Sequence, residues 1–150
     1  MRKNVQEILD KEANDTIWFF DFDGTLTVSR FGNKCSFVNE NMNFLEYCIH
    51  QNPYENAKPV EIMQQFIAQL PPENVYLLGQ SNNTLENRHK IQFMHTFYPD
   101  VKDENMIFVN SKEAKLIVMI EFKKLLEKDN LVLVEDNYDT ILMAEAKYNI

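Results

Sequence analysis

The sequence predicts an α/β fold, a mainly parallel sheet with helices packed on its faces, from three observations. Four short apolar runs, Ile17 to Phe20, Val75 to Leu78, Met106 to Val109 and Leu131 to Val134, are continuous rather than alternating, as in strands buried on both sides. Stretches with helical apolar spacing lie between them. Two of the runs, the first and the fourth, break directly into acidic residues.

Each element has its own signal. The first run ends in Asp21-Phe22-Asp23-Gly24-Thr25-Leu26-Thr27. Met42, Leu45, Cys48 and Ile49 then share one helical face, as do Val60, Met63, Phe66, Ile67 and Leu70, and Pro71-Pro72 stops the second of these helices. A further helix is predicted from Leu85 through Tyr98, closed by Pro99, and another from Ala114 through Lys128. Strands alternating with helices imply parallel crossovers, hence a Rossmann-like, three-layer α/β/α sandwich over one domain spanning residues 1–150.

Composition narrows the function class. With 45% hydrophobic and 25% charged residues the chain reads as an ordinary globular protein, and its 150 residues suffice for one sizeable core. No apolar stretch reaches the roughly 18 to 20 residues that span a bilayer, and residues 1–10 lack the apolar segment of a signal peptide. The expectation is therefore no membrane and a cytoplasmic location. Cys35 and Cys48 have no metal-type spacing and are expected to be reduced thiols. A net charge of -8 argues against a broad nucleic-acid surface, which needs clustered Lys and Arg. A small phosphorylated substrate stays compatible with it, because a bound cation inverts the local field of an acidic site.

In open α/β sheets the carboxyl ends of the strands face the ligand crevice, so the acids after the first run stand where chemistry is expected. Strand side chains alternate, and Asp21 and Asp23 should therefore point roughly alike. Such a pair can bind a divalent cation, and beside a phosphate one of the two can serve as a nucleophile. A calcium loop beginning at Asp21 is excluded, since its sixth position would be Leu26 rather than Gly and its twelfth Gly32 rather than Glu.

Asp21-Phe22-Asp23-Gly24-Thr25-Leu26-Thr27 after an apolar run resembles the first motif of the haloacid dehalogenase superfamily. The resemblance implies that Asp21 is a nucleophile forming an aspartyl-phosphate and that Asp23 is a general acid/base; Asp23 also favours phosphoryl transfer over carbon-halogen cleavage. Ser81 is the nearest match to the family's second motif, a hydroxyl that holds a phosphoryl oxygen, although Gly79 occupies the position that is a hydroxyl in many members. Ser81 also reads as a turn or helix-capping residue. Thr25 and Asn82 are the neighbouring candidates for substrate binding. The third motif's cation would be Lys115, which enters the apolar stretch Leu116-Ile117-Val118-Met119, or alternatively Lys112. The fourth motif's metal-binding acids fall in Glu135-Asp136-Asn137-Tyr138-Asp139, where Asp136 matches the ligand best and Glu135 and Asp139 remain possible.

By that likeness the cofactor is Mg²⁺, held by Asp21, Asp23 through its backbone carbonyl, and Asp136. Magnesium binds one or two carboxylates plus phosphate oxygens, which suits this inventory. The chain has room only for a flap or small helical insertion at about residues 28–72, so it is similar to the family's capless members, whose open sites take macromolecules or gain a cover by forming homo-oligomers. Arg30 and Lys34 in that segment are either substrate contacts or, as isolated surface cations more often are, merely solvated, and Arg88 and Lys90 after the second run stay unassigned in the same way; His50, His89 and His95 show no metal spacing and receive no catalytic role. The family continues beyond the fourth motif into a further strand, whereas this sequence closes at Tyr148-Asn149-Ile150, so either a minimal or a shortened chain is expected. The expected activity is Mg²⁺-dependent hydrolysis of a phosphomonoester of unknown class; the alternatives are a phosphotransferase and a catalytically silent binding or scaffold protein with the same fold.

Overall fold

The computed structural model describes residues 15–28, 52–126 and 130–148. The expected helix at Met42 to Ile49, Arg30, Lys34, His50 and both cysteines lie outside the described residues. Strand β1 is Thr16–Phe20, followed by the short strands β2 (Thr27–Val28) and β3 (Lys58–Pro59) and helix α1 (Glu61–Ala68). Then come β4 (Val75–Gln80), α2 (Thr84–Phe97), β5 (Met106–Val109), α3 (Lys112–Leu126), β6 (Asn130–Val134) and α4 (Tyr138–Met143). The four predicted strands and the helices after β4 and β5 form within a few residues of their expected positions.

The main sheet has the order β5-β4-β1-β6, and its strand pairs are parallel. In register, Phe20 stands opposite Leu77 of β4 and Val134 of β6. Alternation along the strands divides the apolar residues between two cores. Trp18, Phe20, Val75 and Leu77 pack on one face with Ile67 near the end of α1 and with Phe93 and Met94 of α2. Ile17, Phe19 and Leu78 pack on the other with Leu116 and Met119 of α3 and Ala144 after α4. Continuous apolar runs are thus what a strand needs when helices cover both of its faces. β4 and β5 extend the sheet from β1 with α2 on the first face; β6 joins on β1's opposite side with α3 on the second, as right-handed crossovers require.

Within the predicted insertion, β2 and β3 pair antiparallel into a two-stranded ribbon, Thr27 opposite Pro59 and Val28 opposite Lys58. α1 belongs to the sandwich, with Met63 and Phe66 against the first core. The ribbon is tied down by Tyr98, whose buried hydroxyl donates to the Leu26 carbonyl at 2.6 Å. No helix among the described residues is long and apolar enough to cross a membrane.

Candidate functional site

Order of assembly fixes where the crevice lies. Going outward from β1 the chain adds β4 and β5 on one side, then reverses and adds β6 on the other, so the switch falls between β1 and β6. Ligands bind outside the carboxyl ends of the strands at such a switch. Asp21 follows β1 directly, its backbone N–H donating to the Val134 carbonyl at 2.9 Å, and Glu135-Asp136 follow β6. A cavity of about 320 Å³ opens there; Asp21, Asp23, Glu86, Glu135, Asp136, Lys112 and Lys115 supply its charged lining.

Lys115 is the centre of one wall. Helix α3 starts at the end of β5, with Ser111 Oγ accepting from the Ala114 N–H at 3.0 Å, and this brings its first turn to the strand ends. Lys115 shares the inner stripe of α3 with Leu116 and Met119 and is buried. Its Nζ donates to Asp21 Oδ1 at 2.5 Å and to Glu135 Oε2 at 3.0 Å. Lys112 also lines the cavity, but it is more exposed and stands 3.8 Å from Asp139. The structure thus joins Lys115, not Lys112, to Asp21.

Asp136 approaches from the other strand end, against Gly24. Gly24 has a φ of 78°, and a Cβ there would lie 2.1 Å from Asp136 Oδ2, so only glycine leaves the carboxylate its place. Carboxylate oxygens of Asp21, Glu135 and Asp136 lie within 4.8 Å of one another. This hard, all-oxygen donor set can hold a metal ion. Burial pushes the Asp21 carboxyl up to about 6, against the opposing pull of Lys115. Burial and a hydrogen bond with Asp21 raise Asp136 as well. Burial alone would lower Lys115, but the charges and hydrogen bonds of Asp21 and Glu135 outweigh it and hold the ammonium above its ordinary range. Three converging acids against one buried lysine leave negative charge that a cation would offset.

Asp23 belongs to the opposite wall. Tyr54 Oη donates to its Oδ1 at 2.8 Å, and Lys90 Nζ, fully buried, lies 3.1 Å from its Oδ2. Lys90 also donates to the Gln80 carbonyl at 2.7 Å and pairs with Glu86 at 3.3 Å. The Asp23 carboxylate stands outside the cluster formed by the carboxylates of Asp21, Glu135 and Asp136.

Compared with protein-family models, curated proteins and solved structures, the chain matches none.

The remaining sequence candidates divide. Asn82 lines the cavity, and its N–H and side-chain amide donate to Glu86 Oε2 at 2.8 and 3.1 Å. Ser81 does not reach it: β4 runs on to Gln80, so Gln80 and Asn82 face the cavity, while Ser81 lines a neighbouring cavity with Val109 and Asn110. Thr25 is buried in the turn after β1, its N–H donating to the Phe22 carbonyl, and it is outside the cavity lining. Asp139 pairs with Lys112 and stands apart from the acidic cluster.

Sequence reasoning passed over Tyr54, Gln80 and Glu86 and left Lys90 unassigned. A signal for two of them exists in α2. Its buried residues are Glu86, Lys90, Phe93 and Met94, a single helical stripe. A core-facing stripe that opens with a glutamate and a lysine four residues apart is an ion pair turned inward.

Proposed function

We propose that this chain is a Mg²⁺-dependent phosphatase of phosphomonoesters, working through an aspartyl-phosphate on Asp21 as its likeness to the haloacid dehalogenase superfamily implies. The observation that carries this reading is Asp21 itself: a buried carboxylate at the switch point, hydrogen-bonded to a buried lysine and adjoining Glu135 and Asp136. Asp21, Glu135 and Asp136 would hold the ion, whose chemistry when bound is to neutralise charge and orient phosphate oxygens.

In the first step an Asp21 carboxylate oxygen attacks phosphorus. The ester P–O bond breaks, and the departing oxygen takes a proton from Asp23. In the second step Asp23 removes a proton from water, whose oxygen attacks the same phosphorus, and inorganic phosphate leaves with Asp21 restored. Lys115 offsets the repulsion between the Asp21 carboxylate and an anionic phosphate. The full lining of the cavity is rich in acids, so a phosphate would enter together with a cation.

The test is phosphate release from a panel of phosphorylated metabolites in the presence of Mg²⁺. Release should require both Asp21 and the ion; turnover that survives Asp21→Asn and chelation overturns the reading.

A further inference from the structure

On the basis of the phosphatase reading, we infer that Lys90 is a positioning residue for Asp23, acting with Tyr54 to hold the carboxylate at the cavity wall where it exchanges protons with the reacting oxygens. Lys90 is fully buried and outside the cavity lining, so it acts only through its neighbours. An ammonium has three protons to satisfy, and burying it is costly unless all are engaged. Here three oxygens surround it: Gln80 O at 2.7 Å, Asp23 Oδ2 at 3.1 Å and Glu86 Oε1 at 3.3 Å. The rings of Phe22 and Tyr54 face the same nitrogen, 5.3 and 5.9 Å from centroid to Nζ.

An ion pair needed only for folding would be complete with Glu86, four residues away on the same helix. The lysine instead reaches across to the turn after β1, and Tyr54, from a third segment, takes the other oxygen of Asp23. Both oxygens are held by donors from elements other than the one carrying Asp23. Glu86 is immobilised too, its second oxygen accepting two hydrogen bonds from Asn82. Of the two acids on this wall only Asp23 keeps substantial exposure, its side chain being 42% accessible against 2% for Glu86. A carboxylate on a tight turn otherwise samples several rotamers, and fixing it is the kind of preorganisation that proton transfer requires.

The test uses p-nitrophenyl phosphate in rapid-mixing experiments. Its leaving group departs without a proton, whereas hydrolysis of the aspartyl-phosphate still requires Asp23 to deprotonate water. Lys90→Met leaves two acids facing each other without their cation; the double variant Lys90→Met with Glu86→Gln removes one charge of each sign and is the folded control. Both should release about one p-nitrophenolate per chain in a burst and then turn over about 100-fold more slowly than the parent chain. Loss of burst and turnover together, or unchanged turnover in the folded double variant, overturns the inference. A parent chain that releases nothing overturns the phosphatase reading instead. The hold of Lys90 on Asp23 is then read alone, from the carbon-13 resonance of the Asp23 carboxyl in the double variant: a shift upholds the hold while the proton exchange falls with the phosphatase reading, and an unmoved resonance rejects both.

Discussion

On one wall of the cavity a lysine from α3 stands between Asp21 and Glu135; on the other a lysine from α2 stands between Asp23 and Glu86. Both lysines are buried and both bridge two carboxylates, yet the walls differ in what surrounds the bridge. At Lys115 a third acid, Asp136, adds to the pair, and the carboxyls of Asp21 and Asp136 are raised by burial. At Lys90 the additional partners are a backbone carbonyl and two aromatic faces, and Asp23 gains the Tyr54 hydroxyl. The first wall carries surplus negative charge and can hold a metal ion. The second completes its own hydrogen bonding. One set of charges thus gives a wall that can hold a metal ion or a fixed support, depending on the group added to it.

Perturbing each wall separately tests that contrast, and the largest effect belongs to the first. On the proposed reading Asp21→Asn should reduce phosphate release to background, because the proposed nucleophile is gone and the Lys115 bridge loses a charge; steady-state assay with Mg²⁺ measures it. A pH effect follows. The Asp21 carboxyl titrates at about 6 in the fold against an ordinary 3.8, so between those values the folded chain binds more protons than the unfolded one. Stability of the metal-free protein should therefore fall as pH rises through that window, by up to about 3 kcal/mol from this group, and Mg²⁺ should oppose the fall. Denaturant titrations at pH 4 to 7, with and without Mg²⁺, test both signs.

Gly24→Ala acts on the same wall less severely. The new Cβ would collide with the Asp136 carboxylate at a positive φ, and Mg²⁺ affinity should drop about tenfold or more, with a loss of about 1 to 2 kcal/mol in stability. Calorimetric metal titration and thermal unfolding separate the two effects. The smallest change is expected on the second wall from Tyr54→Phe, which removes one of Asp23's hydrogen-bond donors while Lys90 keeps the other. Turnover should fall by about fivefold, the equivalent of about 1 kcal/mol, with Mg²⁺ affinity unchanged in calorimetry. A metal affinity that moves with Tyr54 would join the two walls into one unit.

The sheet was legible because its strands are covered on both faces, so uninterrupted runs such as Ile17 to Phe20 mark them without help from tertiary context. Asp21, Glu135 and Asp136 were legible for a related reason: acids directly after such runs stand at the crevice. The side-chain parity of Asp23 was harder to read. Alternation predicts that it points roughly with Asp21, and both line the cavity, but the chain turns at once, Phe22 O accepting from the N–H groups of Thr25, Leu26 and Thr27, and Asp23 meets α2 on the far wall. Ser81 is the nearest hydroxyl match to the second motif after the predicted strand end at Leu78; the strand continues two residues, which selects the side chains on either side of the serine for the cavity. Lys112 and Lys115 both occupy the first turn of α3, and only the packing of its inner stripe distinguishes them. Tyr54 is separated from Asp23 by 31 residues, and no local pattern joins them.

Many phosphate-handling sites set two divalent ions side by side. Lys90, ringed by oxygens of Gln80, Glu86 and Asp23, acts as a tethered counter-ion on the second wall. Being covalently attached, it neither exchanges with solvent nor responds to chelators, and it charges that wall in advance of any ligand. On the proposed reading the exchangeable part of the site's positive charge is then confined to the side of Asp21, so metal supply would govern Asp21 while the support for Asp23 stays in place.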